Sequence, residues 1–219
     1  MRTFAKTRRT RACRAARCPS GRERTGLGFA LLELLVVVVI LIVLTTLFWG
    51  GIGGGNVKNA KAKACSDNLQ KIYLAMQIYA RDNGSLYPNV AGAATSETPL
   101  AALVPRYTAD TSVFICPLTS NSTLTPGKPL TSGKISYAYW MGLHQTDPPA
   151  PLMADALLNT LPKGPGQLAF SSTGEPPGNN HGKEGGNILM SDGSVSASGV
   201  TASIPMIQTV GVTLLNPKP

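Results

Sequence analysis

Three side chains in the second half of the chain could carry chemistry: His181, Asp155 and Asp192. In an enzyme, a histidine beside two carboxylates acts as a general base or holds a metal ion. The chain has only two histidines, His144 and His181, and neither has a serine–histidine–aspartate order or paired metal-ligand spacing around it. We therefore predict that the protein is not an enzyme, that His181 fixes a loop through hydrogen bonds, and that Asp192 makes a turn.

A second unusual residue is Glu33, the one charged side chain in the apolar stretch of residues 29–49. A helix of these 21 residues would be about 30 Å long, enough for one crossing of a bilayer. Inserting a carboxylate into a bilayer costs about 2.5–3.5 kcal/mol or more. Either Glu33 therefore lies near the interface, where it reaches water or is protonated, or a positive charge neutralises it.

The net charge of +9 is concentrated before this stretch. Residues 1–28 contain nine of the 20 basic residues and one acid, so they carry +8, and the remaining residues carry +1. A nucleic-acid-binding domain needs its basic residues on the folded surface that follows the phosphates, so no nucleic-acid partner is expected. Basic residues before an apolar span instead predict a cytoplasmic N-terminus with the rest of the chain outside.

The order of these features resembles the prepilin signal of type IV pilins and type II secretion pseudopilins: a basic leader, then Gly28-Phe29-x-x-x-Glu33, then an apolar span. The resemblance implies that a prepilin peptidase cuts after Gly28 and methylates the new amino group of Phe29. It also implies that Glu33 faces the N-terminal amine of a neighbouring subunit during filament assembly. Opposite charges attract strongly in a medium of low dielectric constant, where neither is tolerated alone.

Cleavage of the leader would remove Cys13 and Cys18 and leave Cys65 and Cys116 in an oxidising compartment. Two interpretations remain open for this pair. A disulfide would close a loop of about fifty residues and stabilise the fold by about 4 kcal/mol; the alternative is two separately buried thiols. A zinc site is poorly supported, because two cysteines without a nearby cysteine or histidine do not provide four ligands.

The glycine-rich residues 50–55 predict a hinge or a flexible linker, since each glycine costs about 1 kcal/mol within a helix. Helical spacing of apolar residues then predicts an amphipathic helix from Val57, with Asn56 as its N-cap and Gly84 as its stop. Residues 65–88 themselves resemble the soluble half of the helix in major pseudopilins. We predict that this helix packs on a sheet through Val57, Ala60, Ala64, Leu69, Ile72, Met76 and Tyr79.

Short strand-like runs follow, separated by Pro, Gly, Ser and Thr. A short helix is predicted from Thr98, with Thr98 as its cap and Pro99 in its first turn, and a short strand at residues 113–116. The other predicted strands are residues 134–140, 152–156, 166–172, 187–191, 194–198 and an apolar stretch within 203–215.

The strongest turn signal is Asp192-Gly193, which predicts a hairpin with a two-residue type I′ turn and positive φ at both residues. In that hairpin Val195 and Ala197 should point inward. His181 followed by Asp192-Gly193 also resembles the C-terminal signature of a large bacterial prepilin-type group. In that group nine residues separate the histidine from the aspartate, and here ten do.

These features together predict an α+β pilin-like fold. The expected order is a cleaved basic leader (1–28), a transmembrane and assembly helix (29–49), a glycine-rich hinge (50–55) and a periplasmic domain (56–219) in which a helix packs on a small antiparallel sheet. We expect no cofactor. Calcium is left open, because related major pseudopilins carry a calcium site, but no ligands can be assigned.

The function implied is that of a structural subunit, a pseudopilin or minor pilin, anchored by a single pass in the inner membrane. Its expected partners are other pilin or pseudopilin subunits, the prepilin peptidase, the inner-membrane assembly platform and the lipid bilayer. The alternative is a membrane-tethered periplasmic or surface module for binding or adhesion that carries the same processing signal but does not polymerise.

Overall fold

The computed structural model describes residues 27–49, 54–120, 122–158, 167–199 and 211–219. The chain divides into two compact units, Met1–Gly51 and Ile52–Pro219. The first unit contains the helix α1 (Leu27–Trp49). The second contains the remaining described helices and strands, and these confirm the predicted α+β class.

The second unit begins with α2 (Gly54–Asp82) and a short helix, α3 (Glu97–Leu100). Three 3₁₀ turns lie at Ala101–Leu103, Thr111–Phe114 and Leu130–Ser132. The strands are β1 (Tyr137–Met141), β2 (Pro151–Asp155), β3 (Gly186–Met190), β4 (Val195–Ser198) and β5 (Thr213–Leu215).

The five strands form one antiparallel sheet in the order β4-β3-β2-β1-β5. In its register Tyr137 pairs with Asp155, and Leu189 pairs with Val195. Every residue of β1 and β2 is buried, so both faces of the sheet centre are covered. Coverage of both faces explains why these strands show no alternation of apolar and polar residues.

α1 has 23 residues, and its side chains are described for residues 31–47. All of these side chains are exposed, and the large apolar ones are 45–71% exposed. Within the described residues, no helix is both long enough and apolar enough to cross a membrane.

α2 begins at Gly54, three residues before the predicted start, so Gly54 and Gly55 are helical. Residues 50–53 of the predicted hinge lie outside the described residues, and the hinge stays a prediction. At the other end, Gly84 adopts a φ of +64° and Ser85 N donates to Ala80 O at 2.7 Å. A left-handed glycine just beyond the last turn is a common helix stop, as predicted for Gly84.

The buried face of α2 contacts β3, β4 and the first two 3₁₀ turns. The predicted stripe is correct in the middle of the helix, where Leu69, Ile72 and Met76 are fully buried. It is wrong in the first turns, because Val57 and Ala60 are exposed. The helix is therefore covered only from about Cys65 onward, and periodicity alone does not reveal where a helix extends beyond its sheet.

Three of the predicted short elements differ in the structure. Residues 113–116 do not form a strand, because Asp110 accepts a hydrogen bond from Ser112 N at 2.9 Å and caps a 3₁₀ turn instead. The described residues 167–172 contain no strand, and 203–210 lie outside the described residues. α3 begins at Glu97, so Ser96 rather than Thr98 is its N-cap, and Ser96 Oγ donates to Tyr137 O.

The predicted hairpin is present as β3–β4, but its turn is not type I′. Gly193 N donates to Met190 O at 3.0 Å, and Met190 N donates to Ser194 O at 2.9 Å, which closes a three-residue loop. Only Gly193 has a positive φ, +87°, and Asp192 does not. These bonds and the positive φ of Gly193 alone fit a type I turn followed by a left-handed glycine. The Asp192 carboxylate also accepts hydrogen bonds from Ser194 N and Oγ. On β4, Val195 is half-buried and Ala197 is exposed, so the predicted inward position of Ala197 is wrong.

Candidate functional site

The predicted processing residues lie at the start of α1. Gly28 and Phe29 are in its first helical turn, because the helix begins at Leu27. Their side chains belong to residues 27–30, which lie outside the residues whose side chains are described. Cleavage after Gly28 and methylation of Phe29 therefore stay predictions.

The polar side chains of α1 differ in whether they form hydrogen bonds within the helix. Thr45 Oγ1 donates to Leu41 O at 2.8 Å, and Thr46 Oγ1 donates to Val43 O at 2.9 Å. Hydroxyls bonded in this way to the preceding turn need no water. The exposed carboxylate of Glu33 forms no hydrogen bond or ion pair with any described residue. Whether Glu33 pairs with a neighbouring subunit therefore stays a prediction.

Cys65 of α2 and Cys116 form a disulfide, with an S–S distance of 2.06 Å and a Cα–Cα distance of 5.0 Å. Both residues are fully buried. Of the two interpretations left open by the sequence, the bridge is confirmed and the pair of separate thiols is wrong. The bridge fixes α2 to the segment that follows the 3₁₀ turn Thr111–Phe114.

His181 lies against this disulfide and against a buried carboxylate. Its Nε2 atom is 3.2 Å from Asp155 Oδ2 and 3.4 Å from Cys116 Sγ. Asp155 is the last residue of β2 and is fully buried, and the His181 side chain is 7% exposed. Of the carboxylates considered from the sequence, the structure thus brings Asp155 to His181, whereas Asp192 makes a turn.

Two asparagines hold the Asp155 carboxylate in place. Asn187 N donates to Oδ2 at 2.7 Å, and Asn180 Nδ2 donates to Oδ1 at 2.9 Å. Asn180 also donates to Ser136 O, and Ser136 Oγ accepts from Cys116 N at 2.9 Å. The carboxylate is therefore connected through hydrogen bonds to the same cysteine that His181 contacts.

Burial raises the pKa of Asp155 above its usual value of 3.8. The neighbouring His181 and the hydrogen bonds from Asn180 and Asn187 act in the opposite direction and lower that pKa. An ionised carboxylate without partners in the interior would cost several kcal/mol. The hydrogen-bond donors around Asp155 are thus what makes a charged group acceptable at this position.

Cys65, Cys116, Asp155 and His181 form one cluster. The backbone of β3 also lies close to this cluster. A Cβ atom built on Gly186 would be 2.6 Å from Phe170 Cε1 and 3.0 Å from Asp155 Cβ. A side chain at position 186 would therefore displace the ring or the strand that carries the carboxylate.

The geometry does not match a nucleophile–base–acid triad. In such a triad one imidazole nitrogen faces the nucleophile and the other faces the carboxylate. Here the same atom, His181 Nε2, faces both Cys116 and Asp155, and Cys116 is already bonded to Cys65. The donor set also contains two sulfurs and a nitrogen, whereas calcium takes six to eight oxygen ligands. The cluster therefore fits neither a triad nor the calcium site that the sequence left open.

A cavity of about 280 Å³ adjoins the cluster, and His181 is part of its lining. The same lining includes Lys58 and Glu184, whose Nζ and Oε1 atoms are 3.6 Å apart and whose side chains are well exposed. Exposed ion pairs of this kind contribute little to stability and open readily. Among the described residues that line this cavity, His181 is the one that contacts both Cys116 and Asp155.

The Asp192-Gly193 turn serves the packing of the hairpin on α2. Tyr73 Oη donates to Ser191 O at 3.1 Å, and a Cβ on Gly193 would lie 2.5 Å from Tyr73 Cε1. Tyr87 Oη lies 3.4 Å from the same carbonyl oxygen, and burial raises the pKa of Tyr87 to about 12. Only a glycine allows the turn to approach the Tyr73 ring this closely.

Sequence reasoning did not identify Asn180, Asn187 or the contact between His181 and Cys116. One local signal was present: Asn180 directly precedes His181 in a glycine-rich loop, and Asp155 ends an apolar run. Cys116 and His181 are 65 positions apart, and this separation along the chain gave no sign that the two groups meet.

Comparisons of the chain with protein-family models, with curated proteins and with solved structures found no match.

Proposed function

We propose that this chain is a structural subunit, a pseudopilin or minor pilin, of a type II secretion or type IV pilus-like filament. In this proposal a prepilin peptidase removes residues 1–28, and residues 29–49 anchor the protein in the inner membrane until it enters the filament. The domain that follows lies in the periplasm. The observation that carries the proposal is an exposed apolar helix with one carboxylate that has no partner among the described residues.

The apolar surface of α1 is the first support. Between residues 31 and 47 its leucine, isoleucine and valine side chains are exposed on all sides. A helix that is apolar all round requires an apolar environment, because burying each such side chain is worth about 1.5–3 kcal/mol. For a subunit that moves from membrane to filament, lipid provides that environment first, and the α1 helices of neighbouring copies provide it afterwards.

The charge in α1 is the second support. Cleavage after Gly28 would create a positive amine at Phe29, and Glu33 is the only acid in the apolar span. In an apolar helix bundle the amine of one copy and the carboxylate of the next would neutralise each other. The threonines of the span need no such partner, because the helix satisfies their hydroxyls.

The disulfide is a third, independent support. Stable structural disulfides are typical of oxidising compartments such as the bacterial periplasm and are rare in the cytosol. The Cys65–Cys116 bridge in the second unit agrees with a domain placed outside the cytoplasm.

Processing tests the first step of the proposal. The full chain is co-expressed with a prepilin peptidase, and the mass of its N-terminal peptide is measured. We expect a mature chain that begins with methylated Phe29, and we expect Gly28→Leu to remain uncut because a branched side chain blocks the scissile position. A wild-type chain that keeps residues 1–28, or is cut elsewhere, would contradict the proposal.

Assembly tests the second step and separates the two candidate functions. Glu33→Ala and the matched variant Thr46→Ala are each expressed with an assembly system, and the filament fraction is quantified by shearing and immunoblotting. For a filament subunit we expect Glu33→Ala to be processed normally but to lose assembly, and Thr46→Ala to assemble as the wild type does. A non-polymerising tether predicts that Glu33→Ala behaves like the wild type in every assay.

A further inference from the structure

Four potential metal-ligating side chains meet at one point in the second unit. They are Cys65 from α2, Cys116 after the second 3₁₀ turn, Asp155 at the end of β2 and His181 from the loop before β3. One ligand atom from each lies within 4.8 Å of all the others. Four separate chain segments converge here, so the arrangement is a product of the tertiary structure and not of a local sequence motif.

We propose that these four residues bind a thiophilic divalent cation of the zinc class when the two cysteines are reduced. The disulfide and the metal centre are then alternative states of the same site. The inference does not depend on the proposed filament function, because it concerns only the interior of the second unit.

The distances around His181 already approach those of a tetrahedral zinc site. Zinc–ligand bonds of about 2.0–2.3 Å at tetrahedral angles place nitrogen about 3.3 Å from oxygen and about 3.5 Å from sulfur. His181 Nε2 is 3.2 Å from Asp155 Oδ2 and 3.4 Å from Cys116 Sγ. Two edges of the tetrahedron are thus in place while the disulfide is closed.

The other pairs of ligand atoms lie within 4.8 Å of one another, and the two sulfurs must move apart. Two thiolates on one zinc ion lie about 3.8 Å apart, farther than two sulfurs joined by a covalent bond. Breaking the bond frees the Cys65 and Cys116 side chains to rotate, and the ion then occupies the space between sulfurs, nitrogen and carboxylate. One nitrogen atom, His181 Nε2, faces both Cys116 and Asp155. This arrangement excludes a triad, but it suits a metal site, because the ligand atoms of a metal site all face one ion.

The surroundings provide the second layer of contacts that metal ligands need. Asn180 and Asn187 donate hydrogen bonds to the Asp155 carboxylate, and Ser136 accepts one from the backbone of Cys116. Such contacts orient ligands and typically change metal affinity by about 10–100-fold when removed. The site also adjoins a cavity of about 280 Å³, which His181 lines.

The chemistry of the interconversion is balanced by a dithiol reductant. The reductant transfers two electrons and two protons to the Cys65–Cys116 bond, yielding two thiols and becoming a disulfide itself. Metal binding then releases both thiol protons, since the thiolate is the ligand. A disulfide oxidant reverses the process: it takes two electrons from the two thiolates and two protons from solvent and becomes a dithiol, the Cys65–Cys116 bond re-forms, and the ion leaves.

The test uses the full chain in detergent with Cys13→Ser and Cys18→Ser, so that Cys65 and Cys116 are its only cysteines. The protein is reduced with dithiothreitol, freed of reductant under argon, and titrated with Co²⁺ and then Zn²⁺. We expect one Co²⁺ per chain, thiolate-to-cobalt charge-transfer absorption of two thiolates, and displacement of Co²⁺ by Zn²⁺. The oxidised chain should show none of these signals.

Variants decide whether the imidazole is a ligand. His181→Ala should weaken Zn²⁺ binding at least about tenfold in competition with a chelating dye, and the exposed His144→Ala should leave the affinity unchanged. Circular dichroism of both oxidised variants verifies that they are folded. The proposal is overturned if the reduced chain binds no Co²⁺, or if His181→Ala binds Zn²⁺ as tightly as His144→Ala does, since the ion would then be held by the thiolates alone.

Discussion

Removal of the Cys65–Cys116 bridge should destabilise the second unit by about 4 kcal/mol. The two cysteines are 51 positions apart, so the bridge closes a long loop in the unfolded chain. In the chain-entropy model a loop of this length reduces the entropy of the unfolded state by an amount worth about 4 kcal/mol at 25 °C. Small domains are stable by about 5–15 kcal/mol, so the loss is a large part of the total.

The assay is urea unfolding of the full chain in a mild detergent, followed through the fluorescence of Trp140. Trp140 is 3% exposed and belongs to the core, so its emission reports on the packing of the second unit. The measurement uses a Trp49→Phe background, because the chain has two tryptophans and Trp49 lies in α1. A chelator is present throughout, so that no bound metal ion contributes to the measured stability.

The variant is Cys65→Ala with Cys116→Ala, and the matched control is Cys13→Ser with Cys18→Ser. We expect a loss of about 4 kcal/mol in the first variant and a change within about 0.5 kcal/mol in the second. The dependence on urea should also steepen in the first variant, because an unfolded chain without the bridge exposes more surface. A loss below about 1 kcal/mol would refute the reasoning from loop closure.

Three further predictions concern the cluster and the hairpin. Gly186→Ala should cost about 1–3 kcal/mol in urea unfolding, because its Cβ would overlap a phenylalanine ring, whereas Gly199→Ala, with open space around it, should be nearly neutral. Gly193→Ala should cost more than Gly92→Ala, since both have positive φ but only Gly193 lies against a tyrosine ring; equal losses would contradict that contact. Because the pKa of Asp155 is raised in the folded state, the folded chain binds more protons than the unfolded one above pH 3.8. The stability of the wild type relative to Asp155→Asn should therefore fall as the pH rises from that value, and a difference that grows with pH would contradict the buried carboxylate.

His181 and the Asp192-Gly193 turn have two different structural roles. His181 belongs to the interior beside the disulfide, and the Asp-Gly turn belongs to the contact between the hairpin and α2. The ten residues between His181 and Asp192 include β3, which connects these two places.

Periodic and compositional signals in the sequence determined the coarse architecture. The spacing of Leu69, Ile72 and Met76 predicted the buried face of α2, and Asp192-Gly193 predicted the β3–β4 hairpin. The basic leader, Gly28-Phe29, Glu33 and the apolar run together suggested a filament subunit, which stays a prediction. These signals are local, because helix periodicity, turn preference and the cost of a charge in an apolar segment depend only on neighbouring residues.

Only the tertiary structure decided what surrounds Cys65 and Cys116. From the sequence, two cysteines without a nearby histidine argued against a metal site, yet folding brings His181 and Asp155 into contact with them. The sequence also left the fate of the thiols open, and it predicted the wrong turn at Asp192, where the loop has three residues and only Gly193 has a positive φ. Contacts between distant segments depend on how strands and loops pack around a common core, and no local pattern encodes that arrangement.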